Sequence, residues 1–163
     1  MTKNNKKLNK VTLKKLTFFS LIALVIYLII NAILTNVVVN ISNSHTGTIF
    51  WKIDTKPVKN DFVYFDFKHE LLPKNFKILS KKLVCIEGDK LQINDHFIIC
   101  NEQKYPIKRN QKTASEKPIQ KFYYQGIIPK NKAVVWGSNS ESFDSRYWGF
   151  IDYNQLNVMI III

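Results

Sequence analysis

Apolar residues run almost unbroken from residue 16 to about residue 39, and after them the hydrophobic pattern never recurs at that length. At ~1.5 Å of rise per residue, such a run is long enough to cross a ~30 Å hydrocarbon core. Behind it the pattern shortens and alternates. Residues 49–53 and 62–67 are rich in aromatic and β-branched side chains and predict two strands. Lys56-Pro57 and Lys59-Asn60-Asp61 mark the turn between them. Residues 83–86 and 97–100 predict two more, joined through Gly88-Asp89, and residues 134–136 another. The stretch 101–121 is polar and lysine-rich, carries Pro106 and Pro118, and predicts an exposed loop. The chain closes on Val158-Met159 and four isoleucines, too short to span a membrane, so a buried or membrane-apposed terminal strand is expected. The pattern as a whole predicts a mainly β fold, antiparallel sheets behind one N-terminal transmembrane helix. Residues 1–15 form a basic tail, 16–39 the anchor and 40–163 a β-rich domain.

Charge orients this arrangement. Lys3, Lys6, Lys7, Lys10, Lys14 and Lys15 precede the apolar run with no acid among them, and the next basic residue is Lys52. That asymmetry predicts a cytoplasmic N-terminus in the inner membrane and an extracytoplasmic β domain. A cleaved signal peptide has a similar basic start, but its apolar region is only ~7–15 residues long and ends in a small-residue cleavage site. Here the run is longer and no Ala-x-Ala follows, so a retained anchor is expected. With those six set aside, 18 of the 24 Lys and Arg residues face 12 acidic ones, a net charge of +6. The basic residues are dispersed and the domain faces away from nucleic acid. Anionic lipid headgroups are the expected partner, not nucleic acid.

Cys85 and Cys100 would then lie in an oxidising compartment, where a structural disulfide is expected rather than free thiols. Antiparallel pairing of their two strands would bring them close enough to bridge. A single cysteine pair without ligand-spaced histidines offers no zinc site, and no metal or other cofactor is expected.

The candidate chemistry begins at the mouth of the anchor, with Asn40-Ile41-Ser42-Asn43-Ser44-His45. A nucleophilic serine there would reach peptide bonds just outside the membrane. Serine hydrolysis needs a nucleophile, a base and an oxyanion site. His45, His69 and His96 are the only histidines, and none sits in a nucleophile-elbow context. A lysine base is the alternative, provided burial keeps the amine neutral. Lys81 leads directly into the strand at 83–86, and strand alternation would put Lys81, Leu83 and Cys85 on one face and Lys82 and Val84 on the other. Read on its own, a Lys-Lys pair before a strand is more often a solvated strand end.

Three separated segments alter that balance: Asn40-Ile41-Ser42-Asn43-Ser44-His45-Thr46-Gly47-Thr48-Ile49-Phe50, Lys81-Lys82-Leu83-Val84-Cys85-Ile86-Glu87-Gly88-Asp89, and Gly137-Ser138-Asn139-Ser140-Glu141-Ser142-Phe143-Asp144-Ser145-Arg146-Tyr147-Trp148-Gly149. In this order they resemble the nucleophile box, lysine box and Gly-Asp-Asn-Ser…Ser-x-Asp-Ser-Arg box of type I signal peptidases, most like the TraF-type conjugative-transfer enzymes. The resemblance implies a signal-peptidase-like β domain. By position it implies Ser44 as nucleophile, Lys81 as general base and Ser42 as an oxyanion-hole hydroxyl beside the backbone N–H of Ser44. Ser142 would orient the lysine, with Asp144 and Arg146 as a supporting pair. Thr46 stands where the family usually has proline, Thr48 where glycine is common, and Ile86-Glu87 where Leu-Pro is usual.

The implied activity is cleavage of leader sequences from membrane-embedded exported precursors, most specifically pilin precursors of a conjugation or type IV secretion apparatus. A general signal peptidase is the alternative within the enzyme class. An inactive bitopic envelope assembly protein is the alternative outside it.

Overall fold

The computed structural model describes residues 3–39, 49–72, 78–107, 119–139 and 142–162. The chain divides into two compact units, Met1–Val37 and Val38–Ile163. The first is helix α1 (Lys3–Asn36). Its segment Thr12–Asn36 is long and apolar enough to cross a membrane, at 25 residues or about 37 Å. Polar side chains in this segment bond back to their own helix: Thr17 Oγ1 donates to Lys14 O, Thr35 Oγ1 to Asn31 O and Asn36 Nδ2 to Ala32 O. Such back-bonding leaves little unsatisfied polarity for an apolar surround. The helix ends earlier than the hydrophobic pattern suggests. Val37–Val39 forms strand β1, because three consecutive β-branched residues fit an extended chain better than a helix terminus.

The second unit is mainly β, with its described strands in two sheets. Its strands are β2 (Ile49–Ile53), β3 (Phe62–Asp66), β4 (Ile78–Ile86), β5 (Lys90–Ile93), β6 (Phe97–Cys100), β7 (Gln103–Pro106), β8 (Tyr124–Ile127), β9 (Lys132–Trp136), β10 (Ile151–Asp152) and β11 (Asn157–Ile161). One sheet has the order β1-β2-β11-β3-β4-β9-β10 and the other β7-β6-β5-β8. From β2 onward the neighbouring pairs are antiparallel. The terminal strand β11 is internal, between β2 and β3. Val158 and Met159 are buried there, while Ile160, Ile161 and Ile162 are exposed.

Two apolar clusters form around the larger sheet. Alternation along β9 sends Val134 to one and Ala133 and Val135 to the other. The first cluster, with Leu91, Ile93, Ile98 and Tyr105, packs the smaller sheet against the larger. The second gathers Val63, Phe65, Leu79, Leu83, Ile151 and Leu156.

Strand β4 departs from simple alternation. Leu83 lies opposite Val135 but Cys85 lies opposite Val134, so Val84 is an extra, bulged residue. A bulge re-aims every side chain beyond it. Leu79, Lys81 and Leu83 share the face of the second cluster, whereas Val84 and Cys85 both join the first. The expected common face of Lys81, Leu83 and Cys85 is therefore corrected: Cys85 faces away.

The cysteines are joined in a disulfide, Cα to Cα 5.7 Å, but not by pairing of their strands. β4 pairs with β3 and β9, and β6 with β5 and β7, so the bridge ties one sheet to the other. It closes a loop with a sequence separation of 15, for which chain entropy alone is worth about 3 kcal/mol. The double substitution Cys85→Ala/Cys100→Ala should therefore lower the urea midpoint of the detergent-solubilised chain by about that stability. An unchanged midpoint would contradict this.

The expected loop at 101–121 also contains structure. β7 pairs with β6 through a tight turn in which Asn101 takes φ 53°, a conformation asparagine tolerates well. Tyr105 is buried on the first cluster, and Pro106 is accommodated because β7 is an edge strand. Residues 108–118 lie outside the described residues.

Candidate functional site

Lys81 sits in the middle of the larger sheet. Its register partner on β3 is Val63, which is wholly buried. Lys81 itself is only 3% exposed, whereas its neighbour Lys82, turned to the other face, is half-buried. The Lys-Lys pair is thus split by strand alternation: one amine is inside and one is partly solvated. Burial lowers the Lys81 pKa from 10.5 to about 8, since a low-dielectric surround disfavours the ammonium. Two further charges act on it: Asp144 raises the pKa and Arg146 lowers it. A substantial neutral fraction at mildly alkaline pH makes this amine a competent proton acceptor.

Both charges come from the segment after β9. Helix α2 (Ser145–Trp148) is a single turn, capped at its N-terminus by Asp144, whose Oδ1 accepts the Arg146 N–H at 3.1 Å. Asp144 and Arg146 are 0% and 1% exposed. They meet through two hydrogen bonds, Arg146 Nε to Asp144 Oδ1 at 2.7 Å and Nη2 to Oδ2 at 2.6 Å. This fork-to-fork geometry is the strongest available to a carboxylate and a guanidinium. Arg146 Nη2 also donates to the carbonyls of Gly137, Asn139 and Ser142, and Asp144 Oδ2 accepts the Gly137 N–H at 2.7 Å. The pair thus supplies hydrogen bonds to backbone groups of Gly137, Asn139 and Ser142, which lie outside the strands.

Ser142 is also buried, and its Oγ has no hydrogen-bond partner among the described residues. Ser145 Oγ accepts the Val135 N–H at 3.0 Å. Sequence reading gave no role to Gly137 or Ser145. The clue available there was a run of three polar residues, Asp-Ser-Arg, directly followed by the aromatic pair Tyr147-Trp148. Ser42 and Ser44 lie outside the described residues, as do His45, Thr46 and Thr48.

Of the other histidines, His69 is engaged structurally. Its Nδ1 accepts the Leu71 N–H at 3.2 Å, and its ring stacks on Phe67 and meets Phe143 edge-on. Glu87, which stands where the resemblance would place a proline, accepts the Asn131 N–H at 2.6 Å and so holds the turn before β9. Beside it Gly88 takes φ +81°, a conformation that suits glycine in this turn, and Asp89 Oδ2 accepts the Ile86 N–H. Cys85, Asp89 and Cys100 bring ligand-type atoms within 4.8 Å of one another, but the two sulfurs are bonded to each other and offer no thiolate to a metal.

Comparison with known proteins adds two findings. A family model described as "Signal peptidase, peptidase S26" matches residues 12–161. Among solved structures, a signal peptidase I from Enterococcus faecalis is similar, at 20% identity, over 65% of this chain and 97% of that one, with a TM-score of 0.42. No curated protein sequence matches this chain.

Proposed function

The chain belongs to the signal peptidase family, peptidase S26, and on that premise we propose that it is a membrane-anchored serine endopeptidase in which Ser44 and Lys81 form a catalytic pair. The observation that carries this reading is a lysine buried in the sheet with its pKa brought down to about 8. A buried amine is costly to keep charged, and the simplest use for one is to take up a proton during catalysis.

In the mechanism, neutral Lys81 accepts the Ser44 hydroxyl proton as Oγ attacks the scissile carbonyl. The resulting oxyanion is held by Ser42 Oγ and the Ser44 N–H. Collapse of the tetrahedral intermediate breaks the peptide bond, and the Lys81 ammonium returns its proton to the departing amine. The ester left on Ser44 is then attacked by water, whose proton goes to Lys81, and the second collapse frees the acid product and the serine. Asp144 and Arg146 act on this cycle at a distance, holding the loop and biasing the amine in opposite directions.

A helix of spanning length supports membrane anchoring of the peptidase domain, and the six lysines ahead of its apolar run support a cytoplasmic N-terminus and an extracytoplasmic active site. Substrates would be exported precursors still embedded through their leaders, with pilin precursors of a conjugation apparatus as the specific candidate. The net positive domain would rest against anionic headgroups.

Ser44→Ala should leave folding and membrane insertion intact and reduce precursor cleavage by at least about 10³-fold. In cells carrying that variant, accumulation of uncut pilin alone would support the specialised role, and accumulation of many precursors the general one. Cleavage at the parental rate would refute the catalytic assignment.

A further inference from the structure

Among the described residues, a strand covers only part of the outer edge of β9. β10 covers only its beginning, pairing Ile151 with Ala133 and Asp152 with Lys132. Beyond Ala133 the backbone groups of β9 and the residue after it still need partners, because a buried N–H or C=O left unpaired is costly. Three consecutive side chains supply them. Ser145 Oγ takes the Val135 N–H, Asp144 Oδ2 takes the Gly137 N–H and Arg146 Nη2 donates to the Gly137 carbonyl. Asp-Ser-Arg therefore serves as a substitute strand, built of side chains, along the free edge of β9.

On its other edge, β9 pairs with the strand that carries Lys81. Val135 lies opposite Leu83 and Trp136 opposite Lys82, and the same register continued by one residue puts Gly137 opposite Lys81. Ser145 is 0% exposed, and Val135 is wholly buried. Asp144 and Arg146 are already engaged with each other and with the loop carbonyls. Ser145 has no such second task among the described hydrogen bonds: its hydroxyl meets the strand.

We propose that Ser145 is a positioning residue for Lys81, holding β9 so that β4 keeps the lysine buried against Val63, Leu79 and Leu83. The inference rests on the reading of Lys81 as the general base, but its physical content concerns only the surroundings of the amine. Loss of the Ser145 hydroxyl orphans the Val135 N–H, which recovers a partner only by admitting water at the edge of β9. Water there solvates the neighbouring strand and makes the ammonium of Lys81 easier to form. The charged groups acting on Lys81, Asp144 and Arg146, remain in place, so the change is one of solvation.

The test is the titration of Lys81 in the detergent-solubilised full chain, followed by ¹³Cε-lysine NMR and assigned by the signal lost in Lys81→Met. Ser145→Ala is expected to raise the Lys81 midpoint from about 8 to about 9, and with it the acidic limb of the cleavage profile. At pH 7, kcat should fall by about tenfold while KM changes less than about twofold. Ser145→Cys, which matches serine closely in shape but is a weak acceptor, should also raise the midpoint. A midpoint in either folded variant equal to that of the parent overturns the proposal. In particular, recovery by Ser145→Cys would mean that the site needs bulk and not an acceptor. Should Ser145→Ala fail to fold, as judged by protease resistance, Ser145→Cys decides the question alone. The NMR readout needs no turnover, so a parent chain that cleaves nothing would refute the peptidase reading while still deciding this one.

Discussion

Replacing Lys81 with methionine is expected to abolish precursor cleavage and, below pH 8, to make the domain harder to unfold. The two effects have one cause. In the unfolded chain the amine titrates near 10.5, and in the folded protein near 8, because burial disfavours the charge. Between those values the unfolded state binds more protons than the folded one, so stability rises with pH from 8 to 10.5. Below pH 8 the full penalty of keeping this group in the sheet applies, about 3 kcal/mol by linkage. Methionine has a similar unbranched shape and no charge, so it removes the penalty while filling the space beside Val63 and Leu83. Urea unfolding at pH 7 should show the variant more stable by a sizeable part of that amount, and its advantage should shrink towards pH 10. Cleavage should fall by about 10³-fold or more, as when the base of a serine hydrolase is removed. The parent's rate should climb through pH 8 as the amine becomes neutral. A methionine variant that cleaves normally, or that unfolds more easily than the parent at pH 7, would contradict this account.

Arg146→Met should destabilise the domain by about 3–5 kcal/mol. It leaves the Asp144 carboxylate at 0% exposure without its bidentate partner, and frees the carbonyls of Gly137, Asn139 and Ser142. For a simple buried pair, removing the second partner as well restores much of the loss. Here Asp144→Leu/Arg146→Met should not recover, because the Gly137 N–H and three carbonyls stay orphaned. Arg146→Lys should fail similarly, since a single ammonium cannot reproduce the fork. The opposite charges also predict opposite effects on the neighbouring amine. Loss of Arg146 raises the Lys81 pKa, and loss of Asp144 lowers it. Denaturation curves and Lys81 titration of the three variants would check both, and full recovery by the double substitution would show that the loop does not depend on the pair.

Much of the architecture was legible along the chain because it rests on local physics. A charge-free apolar run long enough to span a membrane can be read from composition, and alternating aromatic and β-branched residues announce β2, β3 and β9 wherever they pair. The Asn40–Ser44 stretch and the Asp-Ser-Arg motif were visible as residue types in order. Where local signals competed, the chain misled. Val37, Val38 and Val39 are as apolar as the helix before them, and only β-branching marks them for the sheet. Gln103–Pro106 is polar enough to pass for a loop, and becomes a strand because Cys100 and Tyr105 anchor a hairpin on the first cluster.

The sequence by itself determined which residues could do chemistry: a serine stretch after a long apolar run, a lysine pair before a strand, and an Asp-Ser-Arg box. Only the tertiary structure decided which lysine is inside, that a bulge at Val84 turns Cys85 away from it, and that the disulfide joins two sheets instead of two paired strands. The reason is the same in each case. Burial and register depend on partners distant in sequence, and a single extra residue in one strand reverses the facing of everything beyond it.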